Sequence, residues 1–576
     1  MLRRKFAVSL LTFSLLSPSF AALAQTSAVA PAVTTSPATA TVPSVYKAPD
    51  DVIAKIKDEG LNRSQVMQTL SYLTDVIGAR LTGSPSLKRA NEWTRDQMTK
   101  WGMQNAHLEA WGPFGRGWTL KSFSAQVTDP YAIPLIAYPK AWSPSTNGTL
   151  TADVVYFDAK DEAAFEKYKG QLRGKIVLVS DVRKLEPDMK GLGERYTDAD
   201  LQKMADAPDP ATQPARDPRA TPERIKIYME RMIFGAKRMN FVMQEGAAML
   251  VDNSFNGANG AVFVQQASVA QDAPSNPVEA FTGKRLQPWQ KEAESKMLPQ
   301  MTMATEHYNR LVRMIQAGEK LKMTINLQAE YNDNDPMVYN TVAEIPGTDP
   351  KLKDEVVMLG GHMDSWHAGT GATDNGAGVA VAMEAARILR AANLKPRRTI
   401  RVALWSGEEQ GLYGSRAYVT QHFGDRGDAM RLMIAQMTGE KAEPPALVKK
   451  SDYEKLSAYY NLDNGTGKIR GVYMQGNAAV KPIFAAWLES FKEMGAATLT
   501  MSNTGGTDHL SFDQIGLPGF QFIQDEVEYE NLTHHSNQDV YDRVQPDDMK
   551  QAATIMAAFV YQTAMMDEKM PRKALK

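Results

Sequence analysis

Beyond Met337 the chain alternates short apolar runs with helical stretches, and this alternation restricts its fold more than any other feature. Apolar runs at 355–359, 399–405, 456–462 and 518–523 read as buried strands. Helical patterns at 377–392, 411–422, 480–494 and 547–565 separate and follow them. Parallel strands need a crossover connection, usually a helix, whereas antiparallel neighbours need only a tight turn. The expected fold is therefore α/β, a mostly parallel mixed sheet flanked by helices.

The rest of the 576 residues calls for more than one domain, given the usual ~100–200 residues per domain. Residues 1–24 read as a secretory signal, with Arg3, Arg4 and Lys5 ahead of the apolar run 6–16 and small residues at Ala22 and Ala24. That run is shorter than the ~20 apolar residues of a membrane span. A secreted or periplasmic protein without stable membrane insertion is expected. Residues 25–45, rich in Ala, Thr, Pro and Ser, read as a flexible linker. Residues 46–130 form the helical first part of the main domain, including a helix at 88–100 after the turn at Gly83, Ser84 and Pro85. Residues 131–300 read as an inserted β-rich domain: apolar runs at 174–179 and 246–251 look like strands, around a polar, Pro-rich excursion at 188–224 expected at the surface. Residues 301–576 complete the main domain.

Composition removes several function classes. Sixty-five Lys and Arg against 66 Asp and Glu leave no basic footprint for nucleic acid. There is no cysteine, hence no disulfide, no thiolate metal site and no cysteine nucleophile. Any metal must be held by His, Asp and Glu.

Ligands of open α/β sheets bind beyond the carboxyl ends of the strands, and those ends are rich in metal-capable side chains here. Gly361-His362-Met363-Asp364-Ser365 offers an imidazole suited to zinc and, two residues on, a carboxylate that can fix the ring. His-x-Asp alone is more often just a loop. Asp374 precedes a helix and by itself reads first as an N-cap. Glu408 and Glu409 end the apolar run 402–405; a turn eased by Gly407 and Gly411 would let one carboxylate bind metal while its neighbour reaches an attacking water. Adjacent glutamates are ordinarily solvated surface. Asp463 closes a strand before glycine, where turn-forming aspartates are common. His534 and His535 lie in a polar loop with Asp539 close behind. Together these residues supply what two divalent ions need: one bridging carboxylate, one more carboxylate and one imidazole per ion, and room for a shared water.

The stretches Gly360-Gly361-His362-Met363-Asp364-Ser365-Trp366, Gly371-Ala372-Thr373-Asp374-Asn375-Gly376-Ala377-Gly378, Glu408-Glu409-Gln410-Gly411-Leu412-Tyr413-Gly414-Ser415, Asn461-Leu462-Asp463 and His535-Ser536-Asn537-Gln538-Asp539 resemble metallopeptidase family twenty-eight, the di-zinc exopeptidases, and within it the carboxypeptidase Q-like branch. Gly78-Ala79-Arg80-Leu81-Thr82-Gly83-Ser84 and Thr504-Gly505-Gly506-Thr507-Asp508-His509 resemble further loops of that family, and 174–179 with Gly246 and Ala247 its inserted protease-associated domain. The resemblance implies two Zn2+ per chain. Asp374 would bridge them, His362 and Asp463 would complete one site, and Glu409 and His535 the other. Glu408 would be the general base, and Asp364 would orient His362. His535 is preferred to His534 because His-Ser-x-x-Asp fits the family pattern. His367 and His509 are pocket candidates with no assigned role. None of the expected ligands lies between 131 and 300, so the insertion is expected to wall the cleft. The activity implied is exopeptidase hydrolysis of short peptides by a metal-bridged hydroxide, of aminopeptidase or dipeptidase type, with room for a homodimer. A carboxypeptidase of the same family, a glutaminyl cyclase or a non-catalytic binding module are the alternatives.

Overall fold

The computed structural model describes residues 45–212, 222–276, 279–280, 285–427 and 445–575. The signal expected at 1–24 and all but the last residue of the 25–45 linker lie outside the described residues. Two eight-stranded sheets dominate. The first runs, in spatial order, Gln104–Trp111, Val338–Ile345, Thr399–Trp405, Val356–His362, Leu456–Asn461, Gly519–Gln524, Ile469–Tyr473 and Thr498–Thr500. The strands from Thr399–Trp405 to Gly519–Gln524 are mutually parallel, as helical crossovers require. Antiparallel partners on both flanks make the sheet mixed. Val356–His362 and Leu456–Asn461 are buried along their whole length, so they appear in the sequence as unbroken apolar runs rather than alternating ones.

Val356–His362 lies at the switch point of this sheet. The next strand in the chain, Thr399–Trp405, joins on one side, and Leu456–Asn461 joins on the other. Connections that leave in opposite directions open a crevice at the carboxyl ends. The helix Ala377–Ala391 packs over these strands with every residue from Ala377 to Leu389 buried, alongside Pro546–Met565. Its small side chains permit close approach. At Gly378 a Cβ would stand 2.1 Å from the Leu462 carbonyl oxygen, so glycine alone lets the first turn press against the chain just ahead of Asp463.

The second sheet runs Ile133–Pro134, Gly117–Asp129, Lys322–Asn332, Thr149–Tyr156, Ile176–Leu178, Met249–Asn253, Gln300–Met303 and Ala137–Pro139. Val127, Ile176, Met249, Met301, Leu311 and Met323 form its core. This unit extends beyond the expected 131–300, because Gly117–Asp129 and Lys322–Asn332 pair along their length as an antiparallel stem. Their mixed exposed and buried positions belong to a half-solvated ribbon, which apolar runs do not reveal. The excursion at 188–224 also departs from a simple surface loop. Glu194 bridges to Val527, and Arg195 reaches Asp525 at 2.9 Å and Asp548 at 2.7 Å. Both carboxylates are buried, and a buried carboxylate needs a cation or donors beside it. Residues 213–221 of the excursion lie outside the described residues. No helix among the described residues is long and apolar enough to cross a membrane.

Gly378→Ala tests the helix–strand contact. Overpacking there is expected to destabilise the metal-free protein by about 1–3 kcal/mol, seen as a lower urea midpoint at unchanged slope.

Candidate metal centre

The crevice gathers residues from the ends of three adjacent strands. His362 is the last residue of its strand. Glu408 and Glu409 follow Thr399–Trp405 through Gly407, whose φ of +77° turns the chain, and Asp463 follows Leu456–Asn461. Asp374 sits in the tight turn Ala372–Gly376 that leads into the buried helix, entered through Gly371 at φ +64°. His535, at φ +63°, follows the turn Tyr529–Thr533.

Asp374 is central to the geometry. Its Oδ1 lies 3.2 Å from His362 Nε2 and its Oδ2 lies 3.2 Å from His535 Nε2. His362 Nε2 is also 3.2 Å from Asp463 Oδ1, and His535 Nε2 is 2.9 Å from Glu409 Oε2. Two groups of one imidazole and two carboxylates result, with Asp374 common to both. His534 comes near as well, its Nε2 3.8 Å from Asp374 Oδ2, with its ring against Tyr529. The closer approach, and the contact with Glu409, belong to His535.

These donors fit a divalent cation. Although near His535, Asp374 Oδ2 accepts no well-aligned hydrogen bond, and neither does the buried Glu409 Oε1. Imidazole and carboxylate without thiolate is a donor set that suits zinc. Burial pushes the Glu409 carboxyl up to about 8, with Asp374 adding to the rise. Burial also carries Glu408 well above the ordinary carboxyl range; Asp463, Asp508 and Glu409 reinforce this against the opposing pull of His362. At Asp374 burial again disfavours the charge, but the close imidazoles of His362 and His535 prevail and hold it well below the usual range. Carboxyls that resist ionising together at Glu408 and Glu409 are ones whose charged form a nearby cation would favour.

Asp364 differs from expectation. The sequence reading has its carboxylate orient His362, yet His362 Nδ1 is 3.0 Å from the Asp364 main-chain carbonyl, and the carboxylate stands 3.7 Å away. That carboxylate instead accepts from the backbone N–H of Glu408 at 3.2 Å, from that of Glu409 at 3.3 Å, and from Thr82 Oγ1 at 2.9 Å. A fully buried carboxylate takes the free N–H groups of the adjacent turn because they satisfy it and it satisfies them.

Other residues carry no role in the sequence reading but shape the centre. The buried Arg80 guanidinium donates to the carbonyls of Met363 at 2.7 Å, Thr370 at 2.8 Å and Gly371 at 2.7 Å. It thereby pins both ends of the loop between His362 and Asp374. Asp539 accepts from the N–H groups of Thr373 at 2.5 Å and Asp374 at 3.3 Å. Asp508 is buried with both oxygens lacking a donor, and burial pushes it up to about 7. The only signal for these was membership in the quoted motifs. The two pocket candidates are bonded elsewhere: His367 Nε2 donates to Pro139 O at 2.7 Å with its ring edge-on to Trp118, and His509 lies against Gln475 and Thr504.

Asp364→Asn sets an amide NH2 against the donors that the carboxylate now satisfies. It is expected to weaken zinc affinity or turnover by about 10–100-fold, read by zinc titration and steady-state kinetics, with the overall fold retained by circular dichroism.

Comparison with known proteins finds relatives among peptidases. Residues 340–560 match the model of Peptidase family M28. Carboxypeptidase Q of Mus musculus is 25% identical over 516 residues, covering 89% of this chain and 88% of that protein. Aminopeptidase YwaD of Bacillus subtilis is 26% identical over 220 residues, covering 38% of this chain and 43% of that one. The crystal structure of a peptidase M28 precursor from Shewanella amazonensis superposes with a TM-score of 0.59 at 21% identity, covering 91% of this chain and 98% of that one, and so shares its fold. The span that matches peptidase family M28, residues 340–560, contains the whole set of residues around Asp374.

Proposed function

We propose that this metallo-exopeptidase binds two zinc ions per chain and hydrolyses short peptides outside the cytoplasm, as an aminopeptidase or dipeptidase. The observation that carries the reading is the position of Asp374, with one oxygen 3.2 Å from each of two imidazoles that each have a second carboxylate partner. His362, Asp463 and Asp374 would hold one ion, and His535, Glu409 and Asp374 the other. When bound, such ions polarise a scissile carbonyl and make water a usable nucleophile near neutral pH.

Glu408 is the general base in this reading. Among the described residues its carboxylate takes part in no hydrogen bond or ion pair, while its neighbour Glu409 is engaged with His535. Asp364 holds the turn so that the two adjacent side chains keep separate tasks. Glu408 takes a proton from the attacking water and returns one to the leaving amine, a contribution of about 10²- to 10⁴-fold in rate. The leader-like residues 1–24 support export.

Metal analysis of dialysed protein is expected to find two zinc ions per chain; one or none at saturating zinc overturns the two-metal reading. Glu408→Gln should keep both ions and lose turnover by about 10²- to 10⁴-fold, whereas Glu409→Gln should lose zinc first. Exchange of those outcomes would exchange the roles. A free dipeptide compared with its N-acetylated and C-amidated forms decides which end is read: an aminopeptidase loses the acetylated form and retains the amidated one, a dipeptidase loses both, and a carboxypeptidase keeps only the acetylated one.

A further inference from the structure

Residues 260–265 belong to the second domain, yet they run directly against the loop that carries His535. Val262 N donates to Asn537 Oδ1 at 2.7 Å and Asn537 N returns a bond to Val262 O at 3.1 Å. Phe263 and Ser536 face each other in an antiparallel bridge, and Val264 N donates to His535 O at 3.2 Å. Phe263 and Ala261 also pack with Leu532, just ahead of that loop. His535 is held in this ladder in a left-handed backbone conformation that a non-glycine residue seldom adopts. One more contact reaches the ring itself. The Gln265 side-chain amide nitrogen lies 3.0 Å from His535 Nδ1, while Nε2 on the opposite edge faces Glu409 and Asp374.

We propose that Gln265 is a positioning residue of the metal centre: the second domain supplies the outer hydrogen-bond partner of one metal-facing imidazole, and zinc affinity in that half of the site depends on it. The proposal rests on the two-zinc reading above. An imidazole that gives Nε2 to a cation carries its proton on Nδ1 and donates from there. A primary amide can meet that need because, turned over, it presents its carbonyl oxygen. An apolar side chain would leave the N–H unpaired. His362 is secured in another way, since its Nδ1 partner is the main-chain carbonyl of Asp364, which no side-chain substitution removes. The two imidazoles therefore differ: one is fixed by its own strand end, and the other by a side chain borrowed from a separate domain.

The test uses the full-length protein and zinc titration in competition with a chromogenic chelator. Gln265→Leu, close in volume, is expected to weaken one of the two zinc equivalents by about 10–100-fold and leave the other unchanged. Gln265→Glu keeps an acceptor and should bind both equivalents at wild-type affinity or tighter. Metal-free Gln265→Leu should melt at the wild-type temperature. Two equivalents at wild-type affinity in Gln265→Leu would overturn the proposal while leaving the two-zinc reading intact. So would an equal loss of both equivalents together with a lowered melting temperature, which would make Gln265 a scaffold contact. A wild-type protein that takes fewer than two zinc ions overturns both.

Discussion

The constraint on which the rest of this structure depends is the burial of several carboxylates at one end of a parallel sheet. Asp364, Asp374, Asp463, Asp508 and Asp539 are all buried, and Glu408 and Glu409 stand among them. Each unpaired charge removed from water costs several kcal/mol. The protein offsets that cost by a different means at each position. Backbone N–H groups serve Asp364 and Asp539, imidazoles serve Asp374, Asp463 and Glu409, and the buried Arg80 sets a fixed positive charge close by. Asp374 Oδ2 and Glu409 Oε1 are left over at the place where a cation fits.

Such a cluster needs a frame that does not yield. The frame is the fully buried central strands together with a helix whose first turn lies against the neighbouring strand end at Gly378. Dense packing makes displacement of any one strand end costly. Asp364 then divides the labour of two identical side chains. By binding the N–H groups of both Glu408 and Glu409 it fixes the turn that sends one carboxylate to His535 and leaves the other free. Adjacent glutamates acquire different surroundings through the backbone that presents them.

The part of the chain built on the second sheet is joined to the part built on the first at several points. Its residues 260–265 pair with the His535 loop, and Arg195 in the excursion at 188–224 caps the buried Asp525 and Asp548. His367 of the first domain donates to Pro139 of the second. Trp118, Trp142 and Trp289 also join the apolar core that holds Trp111, Phe114 and Trp366, so the junction combines these polar contacts with a shared apolar surface.

Much of the main domain was legible because local chemistry and global fold agree there. Unbroken apolar runs separated by helical patterns dictate a parallel sheet, and polar residues at the ends of such strands have one crevice to enter. Strand-end placement marks out His362, Glu409 and Asp463, the resemblance to a known family adds Asp374 and His535, and the structure brings all five together. What the tertiary structure alone decided are the partnerships made across long sequence separations. Asp364 serves Glu408 and Glu409 rather than the ring two residues away, Arg80 ties the His362 and Asp374 loops together, and Gln265 reaches His535 from another domain. Residue type and spacing state which groups can bond, but the choice among partners belongs to packing, because a buried donor or acceptor must take whichever complement the fold sets within about 3 Å of it.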